Sequence, residues 1–235
     1  MNIVPMKVEL IDSMGSDLSV VNAARVSFHK ESDWEYLEES LLTGQPTDKK
    51  LNEKDQKLIS YLAKHGHWTP FAHAFLSFRI KAPIFVARQL VKHQVGLAWN
   101  EVSRRYVDDE PEFWEPQIWR KRAENVKQGS SDEAVPVALD DIVYSYDGGI
   151  ENYLTAAIKT YNYLLNEGVA PEQARMVLPQ NTMTEWLWSG SLAAFARVVK
   201  LRTDPHAQKE TQEIAFAIDS AVPNSFQHSW KALTA

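Results

Sequence analysis

Between Arg88 and Tyr106 the chain reads Arg-Gln-Leu-Val-Lys-His-Gln-Val-Gly-Leu-Ala-Trp-Asn-Glu-Val-Ser-Arg-Arg-Tyr, which sets cationic and hydrogen-bonding side chains among apolar helix formers. Arginine forks and a lysine point charge bind anions, and amide, hydroxyl and imidazole groups orient a planar polar ring. The run therefore suits an anionic, planar ligand. Gln89, Lys92 and His93 share a helical face by their i, i+3 and i, i+4 spacing, while Ser103 and Arg105 share one side of an extended segment. Two elements can converge on one ligand. Arg25, Arg202 and His206 add candidate contacts at the ends of other elements.

Those residues need a scaffold. Lys7 to Ile11 alternates as a first strand, and Ser19 to Val26 reads as a short helix. Asn52 precedes a helix whose stripe is Leu58, Ile59 and Leu62, with Gly66 as its stop. A turn at Thr69-Pro70 leads into a half-buried strand from Ala74 to Ile80, where Leu76, Phe78 and Ile80 alternate with Ser77 and Arg79. Pro83 opens a helix carrying Ile84 to His93, and Gly96 ends it. Residues 107–149 are irregular, with an acidic run from Asp108 to Glu112 and a tip at Gly129-Ser130-Ser131-Asp132. They read as an insertion or lid; the blander alternative is a solvated excursion pinned to the core by Trp114 and Trp119. Helices follow over Ile150 to Glu167 and Pro171 to about Leu178. Thr184 to Leu201 is helix-compatible, and Asp204-Pro205 caps a long helix to about Ser220.

A chain of 235 residues with 44% hydrophobic side chains buries a sizeable core, and the expectation is a single domain over 1–235. The sequence contains no cysteine, which excludes disulfides, thiolate metal sites and a cysteine nucleophile. His65, His67 and His73 lie on a turn without a carboxylate motif, so no metal site is expected. Ser103 lacks the glycine-flanked elbow of a hydrolase and is assigned to ligand positioning. A net charge of −6 argues against a nucleic-acid partner. No apolar run approaches a bilayer span, which points to a cytoplasmic protein that does not enter a membrane.

Five blocks carry a resemblance: His67-Trp68-Thr69-Pro70-Phe71-Ala72-His73, Lys81 to Gln89, Asn100-Glu101-Val102-Ser103-Arg104-Arg105-Tyr106, Ala174-Arg175-Met176-Val177-Leu178-Pro179 and Leu201 to Gln208. In order, they resemble the flavin-dependent thymidylate synthases. The resemblance implies an α+β (mixed α/β) fold with a central, mostly antiparallel sheet flanked by helices. It implies a homotetramer with active sites shared between subunits, and bound FAD. It further implies methylation of dUMP to dTMP, with methylenetetrahydrofolate as carbon donor and NADPH as reductant. The absence of cysteine fits, since flavin rather than a thiolate would serve the chemistry.

By position in the family motifs, dUMP would contact Gln89, Lys92, Glu101, Ser103, Arg104, Arg105, Arg175 and Arg202. Arg202 is the expected catalytic group, a cation that stabilises charge developing on the uracil ring. FAD would contact Thr69, Lys92, His93, Gln94, Asn100, Glu101, Ser191, Arg197 and His206. The match also departs from the family. Its Arg-His-Arg is here Lys92-His93-Gln94, its Asn-x-Arg is Ser191-x-Ala193, and Ala72 stands where many relatives have glutamate. Arg197, four residues beyond Ala193, could restore a cation from the next helical turn. Two other readings stay open: a non-catalytic dUMP-binding homologue, and an FAD-dependent NADPH oxidase on the same fold. Arg104 and Arg105 have a simpler alternative too, as surface partners of the acidic run.

Overall fold

In the computed structural model, residues 2–39, 46–124, 129–135 and 149–235 are described. In chain order the elements are β1 (Asn2–Ile3), β2 (Lys7–Met14), α1 (Asp17–Arg25), β3 (Glu35–Glu39), β4 (Pro46–Lys50), α2 (Glu53–Lys64), β5 (Phe75–Pro83), α3 (Ile84–Leu90) and β6 (Leu97–Glu101). They continue with β7 (Glu112–Phe113), β8 (Arg120–Arg122), β9 (Ser130–Ala134), α4 (Gly149–Asn166), α5 (Pro171–Ala174), β10 (Met183–Ser191), α6 (Leu192–Arg202), α7 (Lys209–Ala221) and α8 (Gln227–Thr234).

Period-2 alternation builds the central sheet. Leu76, Phe78, Ile80 and Ala82 of β5 are buried on one face, as are Trp186 and Trp188 of β10. The sheet runs β2-β5-β10-β6 with every neighbour antiparallel. This is the α+β architecture expected from the resemblance. Phe195 of α6 meets Phe78 and Trp188 edge-on at 5.0 Å and 5.3 Å, and Trp99 of β6 stacks on Trp186 at 4.3 Å. Burying such rings contributes about 1.5–3 kcal/mol each, so this aromatic seam fixes where α6 lies on the sheet. Residues of α1, α2, α7 and α8 complete the same core. The opposite face stays open, with Phe75 and Leu187 exposed and Ser77 bonded to Ser189 at 2.7 Å.

Several expectations need correction. Thr184 to Leu201 is not one helix: β10 occupies its first part and α6 begins at Leu192. The run Trp186-Leu187-Trp188-Ser189-Gly190-Ser191 is short enough to be either element by composition, and pairing on both edges decides for strand. The helix expected from Asp204-Pro205 is α7, and it begins at Lys209 rather than at Pro205. Asp204 instead closes its own turn, accepting from the His206 N–H at 2.8 Å through its carboxylate and from Ala207 N–H at 2.9 Å through its carbonyl. Strand β5 extends through Pro83, and α3 stops at Leu90, short of the expected His93. The helix from Pro171 covers one turn, followed by a 3-10 turn over Arg175–Val177.

In the irregular segment, β7 pairs in parallel with β1 and buries Phe113 against Leu154 and Ile158 of α4. Trp114 meets Phe85 edge-on at 5.7 Å, whereas Trp119 remains exposed. The rest of the expected lid, residues 125–128 and 136–148, lies outside the described residues. Among the described residues no helix is long and apolar enough to cross a membrane.

Candidate active site

One group of side chains forms where the end of α3, the end of α6 and the start of α7 meet. Gly96 lies at φ +77°, a conformation that costs a side chain but not glycine, and it turns the chain from α3 into β6. The turn before it carries Lys92, His93 and Gln94. Arg202 Nε donates to His93 Nε2 at 2.9 Å, and its Nη2 donates to the Gln89 carbonyl at 3.5 Å. Gln89 Nε2 donates to Gln208 Oε1, and Thr211 Oγ1 donates to Gln89 Oε1 at 3.2 Å. Arg197 reaches the same turn and donates to the Val95 carbonyl at 2.7 Å. Burial, then Arg202, then Arg197 hold the His93 pKa below its ordinary 6.5, so the imidazole is neutral among cations. Lys92 and Gln94 are exposed beside them.

The expected common helical face is therefore replaced by a turn. His93 N–H closes it onto the Leu90 carbonyl at 3.0 Å, and Arg202 brings His93 and Gln89 together instead.

A second group surrounds the end of β6. The ladder's last contact is Val102 N–H to the Glu185 carbonyl at 2.8 Å, after which Ser103 to Tyr106 forms a tight turn closed by Tyr106 N–H to the Ser103 carbonyl at 2.9 Å. The extended arrangement expected for Ser103 and Arg105 is thus corrected. They meet because Arg105 folds back, donating to Ser103 Oγ from its backbone N–H at 3.3 Å and its Nε at 3.2 Å. Glu101 is held at both oxygens, by Thr184 Oγ1 at 2.8 Å and Trp99 Nε1 at 3.1 Å. Arg104 donates to the Asp109 carbonyl at 2.9 Å and lies 3.7 Å from its carboxylate, so it does pair with the acidic run. That pair is open to water on the aspartate side and worth little. Arg175 is anchored by its Nε to the Glu172 carbonyl at 3.2 Å. Glu101, Arg104, Arg175, Thr184, Lys81 and Glu185 line a cleft of about 320 Å³.

Among the described residues no hydrogen bond or ion pair joins the two groups. Among these residues, several candidates make no side-chain hydrogen bond to either group. Thr69 and Asn100 are exposed, and His206 is paired with Asp204 at 3.0 Å. Ser191 is buried and caps α6, accepting from the Ala194 N–H at 3.2 Å. Arg25 is committed to Asp55, to which its Nε donates at 3.1 Å. Two residues not singled out for function, Gln208 and Thr211, hold Gln89. Gln208 lies inside a recognised block, whereas Thr211 carries no signal in the sequence.

Residues 9–225 match the family described as thymidylate synthase complementing protein. The chain belongs to this family. A flavin-dependent thymidylate synthase of Thermosipho africanus is 38% identical over 209 residues, 89% of this chain and 82% of that protein. Another, from Thermus thermophilus, is 38% identical over 225 residues, 96% of this chain and 74% of that one. The crystal structure of a UMP/dUMP methylase PolB from Streptomyces cacaoi, bound with 5-Br dUMP, superposes with a TM-score of 0.75 at 28% identity, covering 100% of this chain and 97% of that one. Of the residues around the departures from the family motifs, Arg197 is the one that α6 delivers to the turn of Lys92, His93 and Gln94.

Proposed function

We propose that the two groups are the two halves of a dUMP site, completed between subunits, with Arg202 as the catalytic cation. The protein is a methyltransferase, a flavin-dependent thymidylate synthase that converts dUMP to dTMP. Methylenetetrahydrofolate is the carbon donor and NADPH the reductant. The observation that carries the site assignment is Arg202, whose guanidinium is gripped by His93 and the Gln89 carbonyl beside a fixed amide.

Lys92, Arg104, Arg105 and Arg175 supply cations for the phosphate, with Ser103 as a neutral donor. Glu101, held at both oxygens, accepts from the sugar. Gln89 reads the ring edge. Arg202 stabilises negative charge as uracil C5 becomes nucleophilic, an effect that grows toward the transition state. The donors around the turn fit a flavin dinucleotide: exposed Lys92 and Gln94, with Arg197 alongside, suit a pyrophosphate. His93, Asn100, Glu101, Thr69 and His206 remain candidates for the rest of it, while the buried Ser191 hydroxyl is already used. FAD, when bound, supplies the hydride.

The separation of the two groups and the open face of the sheet both support association into a homotetramer. Phe75 is 41% and Leu187 40% exposed there, next to an Arg79–Glu185 pair at 3.7 Å that a second copy could cover. We place the enzyme in the cytoplasm. The alternative of a non-catalytic dUMP binder rests on the neutral Gln94.

Tritium release from 5-tritiated dUMP, with added FAD, methylenetetrahydrofolate and NADPH, tests the function. NADPH-dependent release with dTMP formation is expected. Confirmed dUMP binding without release at saturating FAD would establish the non-catalytic binder.

A further inference from the structure

We infer that His93 is a positioning residue for Arg202: its Nε2, an uncharged acceptor, aims the guanidinium that works on the uracil ring. The inference rests on the assignment of Arg202 to the dUMP site.

Arginine has five N–H donors in a rigid plane, so fixing one edge fixes where the others point. In this protein the fixed edge is Nε, bonded to His93 Nε2 at 2.9 Å, with Nη2 leaning on the Gln89 carbonyl at 3.5 Å. Both anchors belong to the end of α3 and the turn after it, and that turn is closed by His93 N–H onto Leu90. The guanidinium is thus steered by α3 although it is carried by α6. An imidazole can accept at Nε2 only while neutral, with its proton on Nδ1. The charged groups acting on His93 from α6 are Arg202 and Arg197, and Lys92 stands exposed on its own turn. All are cations, and burial, then Arg202, then Arg197 hold the imidazole pKa below 6.5. Protonation would remove the acceptor and set a like charge against Arg202.

The role differs from a flavin contact. If His93 served FAD alone, its replacement would weaken flavin binding and leave Arg202 unaffected. A positioning role predicts a loss in kcat with dUMP affinity nearly kept, because misdirection by about 1 Å costs up to about 100-fold in rate.

The test compares His93→Leu, which deletes the acceptor, with His93→Gln, whose carbonyl can replace it, each measured at saturating FAD. His93→Leu should lower kcat by at least about tenfold while the dUMP Kd moves less than about threefold. His93→Gln should recover most of that loss and abolish the acid limb of the pH profile, which in wild type falls below pH 6.5. Independently of activity, nitrogen NMR of the wild-type protein should show His93 protonated at Nδ1, with a pKa that rises in Arg202→Met. An Nε2-protonated ring, or a pKa indifferent to Arg202→Met, would overturn the inference. So would an unchanged kcat in His93→Leu alongside a strongly impaired Arg202→Ala. If Arg202→Ala itself kept full turnover, the assignment of Arg202 would fail, and the NMR result would still report on the contact.

Discussion

Thr211 holds the side-chain amide of Gln89: its hydroxyl donates to Gln89 Oε1 at 3.2 Å, and Gln208 takes the amide's other end. Thr211 is wholly buried, so this hydroxyl is costly to leave unpaired and its orientation is set by the contact. The amide keeps one N–H and one lone pair free, a donor–acceptor pair matched to the imide edge of a uracil. Thr211→Val keeps the shape and removes the donor. The lost orientation is worth about 1 kcal/mol, so dUMP should bind about fivefold more weakly by calorimetry. An unchanged Kd would remove Gln89 from the ring-reading role.

Gly190 of β10 lies where no side chain fits. A Cβ there would stand 2.4 Å from the Gly96 carbonyl oxygen and 2.6 Å from Leu97 Cδ2. The Gly96 carbonyl also accepts the Ser191 N–H at 3.1 Å, so the backbone cannot withdraw without breaking the joint between β6 and β10. Gly190→Ala should cost about 3 kcal/mol, read as a lower urea midpoint. Because the displaced strand carries the turn of Lys92 to Gln94, flavin binding should weaken in the same variant. Full stability in Gly190→Ala would mean that the two strands can part freely.

The same glycine shows where the sequence was hard to read. The alternation of Leu76, Phe78 and Ile80 announced β5, since apolar and polar residues took turns. In β10 the polar alternation is interrupted by Leu187 on the open face, and the helical α6 follows without a break, so strand and helix merged into one apolar run. Asp204-Pro205 misled for a related reason: the pair has the chemistry of a helix start, but the Asp204 carboxylate is used two residues on by His206. Gln89, Glu101, Ser103 and Arg202 stand out as site candidates in the sequence because whole motifs surround them. The Arg202–His93 contact spans 109 residues and depends on packing, which local pattern does not encode.

Asp55 is completely buried and bonded by Arg25 and by Asn52 Nδ2 at 2.8 Å. The Arg25 guanidinium is therefore a structural counter-ion, whatever its sequence position suggests. Removing one partner leaves a buried charge exposed to a low-dielectric interior. Arg25→Ala should destabilise by about 3–5 kcal/mol, whereas the paired replacement Arg25→Met with Asp55→Leu should recover most of it. Denaturant unfolding at pH 7 measures both. A dUMP affinity lost in the folded paired variant would return Arg25 to the ligand site.

Glu213 has its carboxyl pKa raised above 4.5 by burial and by the nearby Glu210. Its folded state binds the proton more tightly than the unfolded chain, so stability falls as pH rises from 4.5 through the folded value. The penalty is complete above that value and absent well below 4.5. Glu213→Gln should raise the urea midpoint at neutral pH and leave it unchanged in acid. Equal midpoints at both pH values would show that the carboxylate is fully relieved by solvent.

The turn of Lys92, His93 and Gln94 tests how far a pyrophosphate site tolerates lost charge. Lys92 is a point charge, Gln94 a neutral amide, and Arg197 donates to the Val95 carbonyl with other N–H groups left over. If phosphate binding depends on the summed charge of this turn, restoring a cation at the exposed position 94 should help despite repulsion from its neighbours. Gln94→Arg should tighten FAD about tenfold, the equivalent of one charge-assisted bond of about 1.4 kcal/mol. Arg197→Ala should weaken it by a similar factor, because α6 then no longer contributes a cation. Flavin fluorescence titrations separate the cases. Weakening by Arg197→Ala without tightening by Gln94→Arg would mean that Arg197 already completes the site, and no response to either would place the pyrophosphate elsewhere.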